Sequence, residues 1–391
     1  MTGASFLHIE EEVESIAPRQ LKEQNDSGED VFVLDIRSED DFDEWHIDDE
    51  NVEIVNNPSL QLLDDVPEDL LTALPEERTI TVLCAKGGSS ELIVGALQAE
   101  GYDANHLERG MKGWARLYEY TERDADIDAT IAQYQRPSSG CLAYLVVSND
   151  EAAVIDALRA FAENYIQDAR TLGVEIKYTL DTHIHADHIS GVRTVVEQTN
   201  ATAIMPAAAS RGVGYDRSYE IIEDGDTLMV GDVEINVLHT PGHTTGMTAY
   251  KVENVLLTGD ELFTESIARP DLEDPETATD AATMLYKSPI KKVLTQPENT
   301  IIAPTHFSDA ATPNNDDTST KTLSELDTMD ALSMDKDTFV AFVVSNMPSK
   351  SVNYEAIIAT NLGQKSPDAK EAFELEPGPN NCAASTEALT N

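Results

Sequence analysis

Short apolar segments alternate with helical patterns in the first third of the chain. Val31–Asp35 and Ile80–Leu83 are continuously apolar runs, typical of strands buried in a parallel sheet. Residues 18–25 have a helical pattern, and residues 91–100 form a more apolar one. This order predicts a small α/β domain.

The pattern changes at Gly140. Residues 141–147 and 152–156 predict consecutive strands joined by a turn at 148–150, and a helix is predicted from about 158 to 172. Asp224-Gly225-Asp226 predicts a hairpin turn. Further strands are predicted at 174–180, 203–205, 233–238, 254–257 and from 301.

Several of these strands end in a potential metal ligand. The strand at 174–180 leads into a loop holding His183, His185, Asp187 and His188. Other strand ends present His243, Asp260 and His306. A single histidine is more often a hydrogen-bonded core or surface residue, but this clustering favours a metal site, because buried charge and imidazole are costly unless paired or ligating.

A cysteine lies at the end of the strand Ile80–Leu83. Cys84 is followed by Lys86, Gly87, Gly88 and Ser89, and then by the apolar helix. Backbone N–H groups, the helix dipole and Lys86 would stabilise negative charge in such a loop, so the thiol should ionise easily. A buried, inert cysteine beside a turn remains an alternative from position alone.

The amino-acid composition limits the kinds of molecule that the protein is expected to bind. The 391 residues include 26 Lys+Arg and 73 Asp+Glu, a net charge of −47 spread along the chain. This diffuse acidity predicts a halophilic protein and argues against nucleic-acid or anionic-membrane partners. Three separated cysteines fit reduced thiols in a cytoplasm, and we expect neither a signal peptide nor a membrane span. A homo-oligomer is compatible with these features.

Residues 15–120 resemble a rhodanese domain. The stretches that carry this resemblance are Asp35-Ile36-Arg37-Ser38 with Glu44-Trp45-His46-Ile47, Cys84, and Leu107-Glu108-Arg109-Gly110-Met111-Lys112-Gly113-Trp114. The resemblance implies that Cys84 carries a persulfide in the loop of Lys86, Gly87, Gly88 and Ser89, and passes its outer sulfur to a thiol or an oxyanion. The loop lacks the usual arginine, which leaves the acceptor open.

The second part resembles the metallo-β-lactamase superfamily. Four motifs occur in order: THIHADH from Thr182, TPGHT from Thr240, TGD from Thr258 and PTH from Pro304. This resemblance implies an αββα sandwich with its site at the edge between two sheets. Residues 259–263 and 267–272 look like motifs of persulfide dioxygenases, the branch beside glyoxalase II.

The resemblance leaves two chemistries open. A persulfide dioxygenase would hold one Fe(II) with His183, His243 and Asp260, and would oxidise a thiol persulfide with oxygen to sulfite and thiol. A glyoxalase II-like thioester hydrolase would hold two Zn²⁺, and its remaining ligands would be His185, Asp187, His188 and His306, with Asp260 bridging.

The fused rhodanese domain favours the dioxygenase, because a sulfur-carrying cysteine can exchange persulfide, sulfite and thiosulfate with it. In that interpretation, the four other motif residues orient the iron ligands; they are His185, Asp187, His188 and His306. The rhodanese part could alternatively be a docking module.

These features predict an α/β rhodanese-like domain at 1–122, a metallo-β-lactamase αββα domain at 123–365 and a disordered acidic tail at 366–391. Arg269 and Asp271 are assigned to the site wall, with an ordinary surface salt bridge as the alternative. Cys141 is expected to be a buried structural thiol, and Cys382 an incidental exposed one.

Overall fold

The computed structural model describes residues 13–49, 51–58, 67–123, 127–210, 213–214, 219–288, 292–307, 313–351, 353–376, 378 and 382–383. The chain divides into two compact units, the first ending at Leu117 and the second beginning at Tyr118. We expected the boundary at residue 122. The division lies earlier because strand Glu119–Arg123 pairs with Thr130–Arg136 of the second unit.

The first unit is a parallel sheet with surrounding helices. Its strands are β1 (Ser15–Ile16), β2 (Val31–Asp35), β3 (Val52–Asn56), β4 (Ile80–Leu83) and β5 (Ala104–Leu107), in the spatial order β1-β5-β4-β2-β3. Its helices are α1 (Pro18–Asp26), α2 (Glu39–Glu44), α3 (Glu68–Ala73), α4 (Gly88–Ala99) and α5 (Gly110–Trp114).

Strand β2 shows why this sheet is buried on both faces. Phe32 and Leu34 pack in one apolar cluster, whereas Val31 and Val33 pack in another. Successive strand residues point to opposite faces, so a continuously apolar strand needs cover on both sides. This arrangement confirms the α/β domain predicted from the apolar runs.

Two sheets form the centre of the second unit. The first has the order β12-β11-β10-β9-β8-β7-β6, with β6 (Glu119–Arg123), β7 (Thr130–Arg136), β8 (Cys141–Ser148), β9 (Glu151–Ile155), β10 (Glu175–Leu180), β11 (Thr202–Pro206) and β12 (Glu220–Ile222). The second follows chain order and contains β13 (Thr227–Val230), β14 (Val233–His239), β15 (Thr248–Val252), β16 (Val255–Gly259), β17 (Ile301–Pro304) and β18 (Lys321–Thr322).

Helices cover the outer face of each sheet. They are α6 (Ala162–Leu172), α7 (Val192–Gln198), α8 (Ala278–Ser288), α9 (Leu323–Leu326), α10 (Asp330–Ser333), α11 (Lys336–Ser345), α12 (Tyr354–Asn361) and α13 (Ala369–Glu374). Among the described residues, no helix has the length and apolar character needed to cross a bilayer.

Side chains of alternate strand residues build the layers. Tyr144 of β8 and Val237 of β14 meet in the core between the sheets. The neighbouring Leu145 instead packs with Tyr165 of α6, and Leu256 of β16 packs with helices on the opposite side. The order helix, sheet, sheet, helix confirms the predicted αββα sandwich.

The turn at residues 224–226 is not a hairpin. It connects β12 of the first sheet to β13 of the second sheet, and Gly225 has a φ of 89°. The hairpin in this region lies one turn further along the chain. It joins β13 to β14, and Val230 of β13 is paired with Val233 of β14. A Gly-containing turn specifies a reversal of the chain, but not whether the next strand stays in the same sheet.

The C-terminal segment differs from the predicted disordered tail wherever it is described. Helix α13 folds at Ala369–Glu374, and Glu376 is 3% exposed. A carboxylate oxygen of Glu376 accepts a hydrogen bond of 3.0 Å from Arg136, which is fully buried. The Arg136 guanidinium also lies over the rings of Phe161 and Phe373. The acidic composition misled the prediction, because this carboxylate is paired inside the fold.

Candidate functional site

Four connections at strand ends converge in the second unit. The residues 181–191 follow β10, the loop with His243 follows β14, Asp260 follows β16, and His306 follows β17. The functional side chains on all four connections are buried. The sheets therefore bring together the histidines and carboxylates that the sequence placed at separate strand ends.

One atom each of His183, His243 and Asp260 surrounds a position that we call the first cation position. His183 Nε2 and His243 Nε2 each lie 3.6 Å from Asp260 Oδ2. His183 Nε2 and Asp260 Oδ2 are buried, and neither has a hydrogen-bond partner. Buried polar atoms without partners are rare, so these two atoms fit a cation between them.

Electrostatics favour ligation at the first cation position. Burial lowers the pKa of His183 well below its usual value and also lowers the pKa of His243. Both rings are therefore neutral and offer a lone pair to a metal. Thr182 Oγ1 lies 2.9 Å from His183 Nδ1, and the Arg269 carbonyl lies 2.8 Å from His243 Nδ1. Such contacts fix ring orientation.

His306 contacts two carboxylates at once. Its Nδ1 lies 2.5 Å from Asp260 Oδ1, and its Nε2 lies 2.6 Å from Asp187 Oδ2. Burial opposes charge on this ring, but the two carboxylates raise its pKa well above the usual value. The two carboxylates therefore favour the protonated form of the ring, and both ring nitrogens are occupied by hydrogen bonds.

His185 and His188 each use one ring nitrogen. His185 Nε2 lies 3.0 Å from Asp156 Oδ1, and His188 Nδ1 lies 2.9 Å from Asp187 Oδ2. Burial opposes protonation, but hydrogen bonds to Asp156 and Asp181 raise the pKa of His185 to about 10. His185 Nδ1, His188 Nε2 and Asp187 Oδ1 are buried without partners, and they would be ligand atoms for a second cation with His185 deprotonated.

Asp156 is an organising residue that sequence reasoning missed. It follows β9 with a φ of 54°, and its Oδ1 accepts hydrogen bonds from Thr182 N at 2.6 Å and Thr182 Oγ1 at 3.0 Å. The same oxygen contacts His185. Asp156 thus holds the loop that contains His183. Its place at the end of a predicted strand was the available signal.

Asn361 stabilises the same loop from α12. Its side-chain oxygen accepts from Ser190 N, and its amide nitrogen donates to the carbonyls of His185 and His188 at 2.9 and 2.8 Å. Its contacts satisfy buried backbone groups that would otherwise destabilise the loop.

Arg269 and Asp271 form a buried pair beside the first cation position. Arg269 is 1% exposed and donates to Asp271 Oδ1 at 2.7 Å and Oδ2 at 3.1 Å. Lys350 donates to the Asp271 carbonyl. Burial excludes the surface salt bridge that we kept as the alternative. The pair fixes the segment whose Arg269 carbonyl contacts His243.

Two thiols lie beside His306. Cys141 is fully buried, and Cys382 is 1% exposed, so the expectation of an exposed Cys382 is wrong. The Cys382 carbonyl accepts a hydrogen bond from Arg269 N, and Ala383 forms a β-bridge with Ala268. The Cys382 thiol can approach within 4.8 Å of ligand atoms of Asp260 and His306. Short-range sequence patterns contain no sign of this strand pairing.

A cavity opens beside His243. Its volume is ≈ 240 Å³, and apolar side chains including Ile184, Leu272 and Ile358 line much of it. Cavities of this kind exclude bulk water and admit small ligands.

In the first unit, the Cys84 loop surrounds the sulfur with hydrogen-bond donors. Gly87 N donates to Cys84 Sγ at 3.0 Å, and Ser90 Oγ lies 3.5 Å from it. Burial opposes ionisation, but hydrogen bonds from the Ser90 side chain and from the backbone of Lys86, Ser90 and Gly87 lower the pKa of Cys84. The loop therefore favours a thiolate, as predicted from the sequence.

The backbone geometry of this loop requires glycine. Gly87 has a φ of 101°, and a Cβ there would lie 3.0 Å from Arg109 N. Gly88 and Ser89 form the first turn of α4, whereas the adjacent Ser90 contacts the sulfur. Ser90 is the loop residue that the sequence analysis missed.

Family comparisons agree with both units. The rhodanese-like domain family matches residues 17–117, and the metallo-beta-lactamase superfamily matches residues 137–306. The chain therefore joins a rhodanese-like domain to a metallo-β-lactamase domain.

Relatives of this chain include proteins with two different named activities. The mitochondrial persulfide dioxygenase ETHE1 of Bos taurus is 29% identical over 198 residues, which are 49% of this chain and 72% of that protein. A hydroxyacylglutathione hydrolase of Erythrobacter litoralis is also 29% identical over 168 residues, 42% of this chain and 65% of that protein. Sequence similarity to these relatives therefore does not distinguish persulfide oxidation from thioester hydrolysis for this chain.

A solved structure shows the same fold. A metallo-beta-lactamase from Staphylococcus aureus subsp. aureus COL has a TM-score of 0.53 and 26% identity, over 60% of this chain and 73% of that one.

Proposed function

We propose that the chain is a persulfide dioxygenase with an attached sulfurtransferase domain. Its metallo-β-lactamase domain would convert a low-molecular-weight thiol persulfide, oxygen and water into sulfite, free thiol and two protons. Its rhodanese-like domain would exchange sulfur between persulfide and sulfite.

The spacing of ligand atoms carries this proposal. At the first cation position, histidine nitrogens lie 3.6 Å from Asp260 Oδ2. Elsewhere in the cluster, His306 nitrogens contact carboxylates at 2.5 and 2.6 Å. Two histidines and one carboxylate are the ligand set of non-haem iron oxygenases, which keep open positions for oxygen and substrate.

The protein's own residues would prepare this centre. His183, His243 and Asp260 would hold Fe(II), which supplies the redox chemistry for activating oxygen. His306 engages Asp260 Oδ1 and so leaves Oδ2 as the atom facing the histidines. The apolar cavity beside His243 would admit the persulfide and exclude competing water.

The Cys84 loop supports the accompanying sulfur transfer. The Cys84 thiolate would attack the outer sulfur of a persulfide, the S–S bond would break, and the carrier thiolate would leave and take up a proton. Sulfite would then attack the outer sulfur on Cys84 and leave as thiosulfate, regenerating the thiolate. Donors at Gly87 and Ser90 stabilise the thiolate form of Cys84.

A binuclear thioester hydrolase is the second candidate. It is favoured by the unpartnered buried atoms His185 Nδ1, His188 Nε2 and Asp187 Oδ1, which a second cation would satisfy. In that case, His185, His188 and Asp187 would help to hold a second ion, and the two ions would activate water for thioester hydrolysis, which consumes no oxygen.

Oxygen uptake separates these functions. Protein purified without oxygen and loaded with Fe(II) should consume oxygen with glutathione persulfide and release sulfite, and S-lactoylglutathione should remain intact. Asp260→Ala should lose both iron and oxygen uptake, because it removes a ligand. Thioester cleavage by a protein containing two zinc ions, without oxygen uptake on persulfide, would refute the dioxygenase proposal.

A further inference from the structure

Four tyrosine rings are in contact on the helix-covered face of the first sheet of the second unit. Tyr120 of β6 and Tyr134 of β7 are paired through their backbones, and their rings meet edge-on with centroids 5.3 Å apart. The Tyr134 ring also meets the ring of Tyr165 in α6 at 4.7 Å and the ring of Tyr118 at 5.4 Å. We call these four residues the tyrosine chain.

The tyrosine chain leads from the interior of the second unit to its surface. Tyr165 is fully buried, whereas Tyr120 is 37% exposed. Tyr134 lies between them, and the hydroxyl groups of Tyr118 and Tyr165 are hydrogen-bonded to each other at the inner end. One end of the chain is therefore accessible to small molecules in solution, and the other is not.

The inner end of the tyrosine chain lies close to Cys141. Tyr118 and Tyr165 pack with Cys141 in one apolar cluster outside the first sheet. Burial is the main cause of the raised pKa of both phenols, and the nearby Cys141 sulfur adds to it. The thiol is therefore a neighbour of both inner rings.

Hydrogen bonds continue from Cys141 to the first cation position. Cys141 Sγ lies 3.0 Å from Asp187 Oδ2, and His306 Nε2 lies 2.6 Å from the same oxygen. The other nitrogen of His306 lies 2.5 Å from Asp260 Oδ1. A series of direct contacts thus joins the metal centre to the tyrosine chain.

Two tyrosines of the chain donate hydrogen bonds to carboxylates. Tyr134 donates to Asp168 Oδ2 at 2.9 Å, and Tyr120 donates to Glu122 Oε1 at 3.0 Å. A phenol that loses an electron becomes a strong acid, so its oxidation at neutral pH requires a group that accepts the proton at once. Burial and the neighbouring Asp168 raise the pKa of Tyr134, so this phenol keeps its proton until an electron leaves.

We propose that the tyrosine chain is an electron relay between the metal centre and the protein surface. When oxygen or a peroxide reacts at the centre without persulfide, electrons from the chain reduce the oxidant and protect Cys141 and the metal ligands. This inference rests on the proposed function, because an oxygen-activating centre is one that would need such a relay.

Electrons and protons balance at each step of the relay. Each tyrosine passes one electron inward and gives its proton to the acceptor of its hydrogen bond, which leaves a neutral tyrosyl radical. The radical at Tyr120 then takes one electron from a reductant in solution, such as ascorbate, and Glu122 returns the proton.

Hydrogen peroxide tests the relay in the absence of persulfide. Full-length protein is loaded with Fe(II), freed of excess iron, mixed with hydrogen peroxide and frozen for electron paramagnetic resonance; ring-deuterated tyrosine assigns the signal. Wild-type protein should form a tyrosyl radical that ascorbate removes.

Tyr134→Phe interrupts the relay, because it keeps the ring but removes the oxidisable hydroxyl. Any radical in this variant should no longer respond to ascorbate, and peptide mass spectrometry should find several-fold more Cys141 oxidised to sulfinic acid than in the wild type. Tyr286→Phe, a matched change outside the tyrosine chain, should behave like the wild type.

The absence of a tyrosyl radical in the wild type would overturn the inference. A folded Tyr134→Phe with an unchanged ascorbate response and unchanged Cys141 oxidation would also overturn it, and Tyr120→Phe at the exposed end gives the same test if Tyr134→Phe does not fold. Oxygen uptake on persulfide without a radical would refute the relay alone, whereas the radical without oxygen uptake would refute the dioxygenase alone.

Discussion

The metal centre and the Cys84 loop both follow buried strand ends, but they favour opposite charges by different means. At the metal centre, imidazole and carboxylate atoms come from connections that are distant in sequence. At the loop, N–H groups from one strand-to-helix connection surround a sulfur atom. A cation site thus depends on side chains that the tertiary fold assembles, whereas this anion site depends on local backbone conformation.

This difference between side-chain ligands and backbone donors predicts which residues of each site are sensitive to substitution. In the loop, the sulfur and the glycine conformation are essential, and the remaining side chains matter less. In the metal centre, a carboxylate that is not itself a ligand can strongly affect metal affinity, because it holds the loop that carries the ligands in place.

Cys84→Ser should have the largest effect on a single reaction. Thiosulfate formation from persulfide and sulfite should be abolished, because a serine hydroxyl is not ionised at neutral pH and cannot act as the sulfur carrier. Oxygen uptake on persulfide should persist. Chromatography of thiosulfate measures this activity. An unchanged rate of thiosulfate formation in Cys84→Ser would instead favour the hypothesis that the rhodanese-like domain is a docking module.

Asp156→Asn should weaken metal binding by about 10- to 100-fold, because it disturbs the hydrogen bonds that hold Thr182 and His185. We also expect the free energy of unfolding to fall by about 1–3 kcal/mol, since buried donors lose a charged acceptor. Competition with a chelator and denaturant unfolding measure these effects. Asp150→Asn, an exposed change in the turn before β9, is the matched control; equal effects in both variants would contradict the role of Asp156.

Ser90→Ala should produce the smallest change, a shift in the pH dependence of Cys84 alkylation. The thiolate fraction rises with pH through the pKa, and the Ser90 hydrogen bond lowers that pKa. Removing it should move the midpoint of the alkylation rate to higher pH. Mass spectrometry of the peptide that contains Cys84 follows this thiol separately from Cys141 and Cys382, which are 0% and 1% exposed compared with 7% for Cys84. An equal shift in Ser89→Ala, the exposed neighbour, would show that the Ser90 contact is not the cause.

The sequence was sufficient to predict both folds and the residues that meet at the metal centre. Continuous apolar runs such as Val31–Asp35 indicate strands covered on both faces, and alternation indicates strands with two different environments. His183, His243 and Asp260 each follow a predicted strand, which indicated that these ends could meet at one edge. The αββα sandwich and the grouping of these three residues as one ligand set came from the family resemblance.

Contacts that depend on tertiary pairing were not predictable in the same way. Asp156 ends a predicted strand, but that position does not indicate that its carboxylate holds the loop of His183. Cys382 and Glu376 lie in a polar stretch whose composition indicates disorder, but one contacts Arg269 and the other pairs with Arg136. A buried carboxylate is stabilised by a specific partner, and composition carries no information about that partner.

The pairing of Arg136 with Glu376 joins residues that are 240 positions apart. During synthesis, the loop with His183 therefore leaves the ribosome well before the segment that contacts Arg136 and Arg269 has been made. We therefore expect the centre to reach its final form only after the C-terminal segment has been made, since contacts of that segment hold residues beside it.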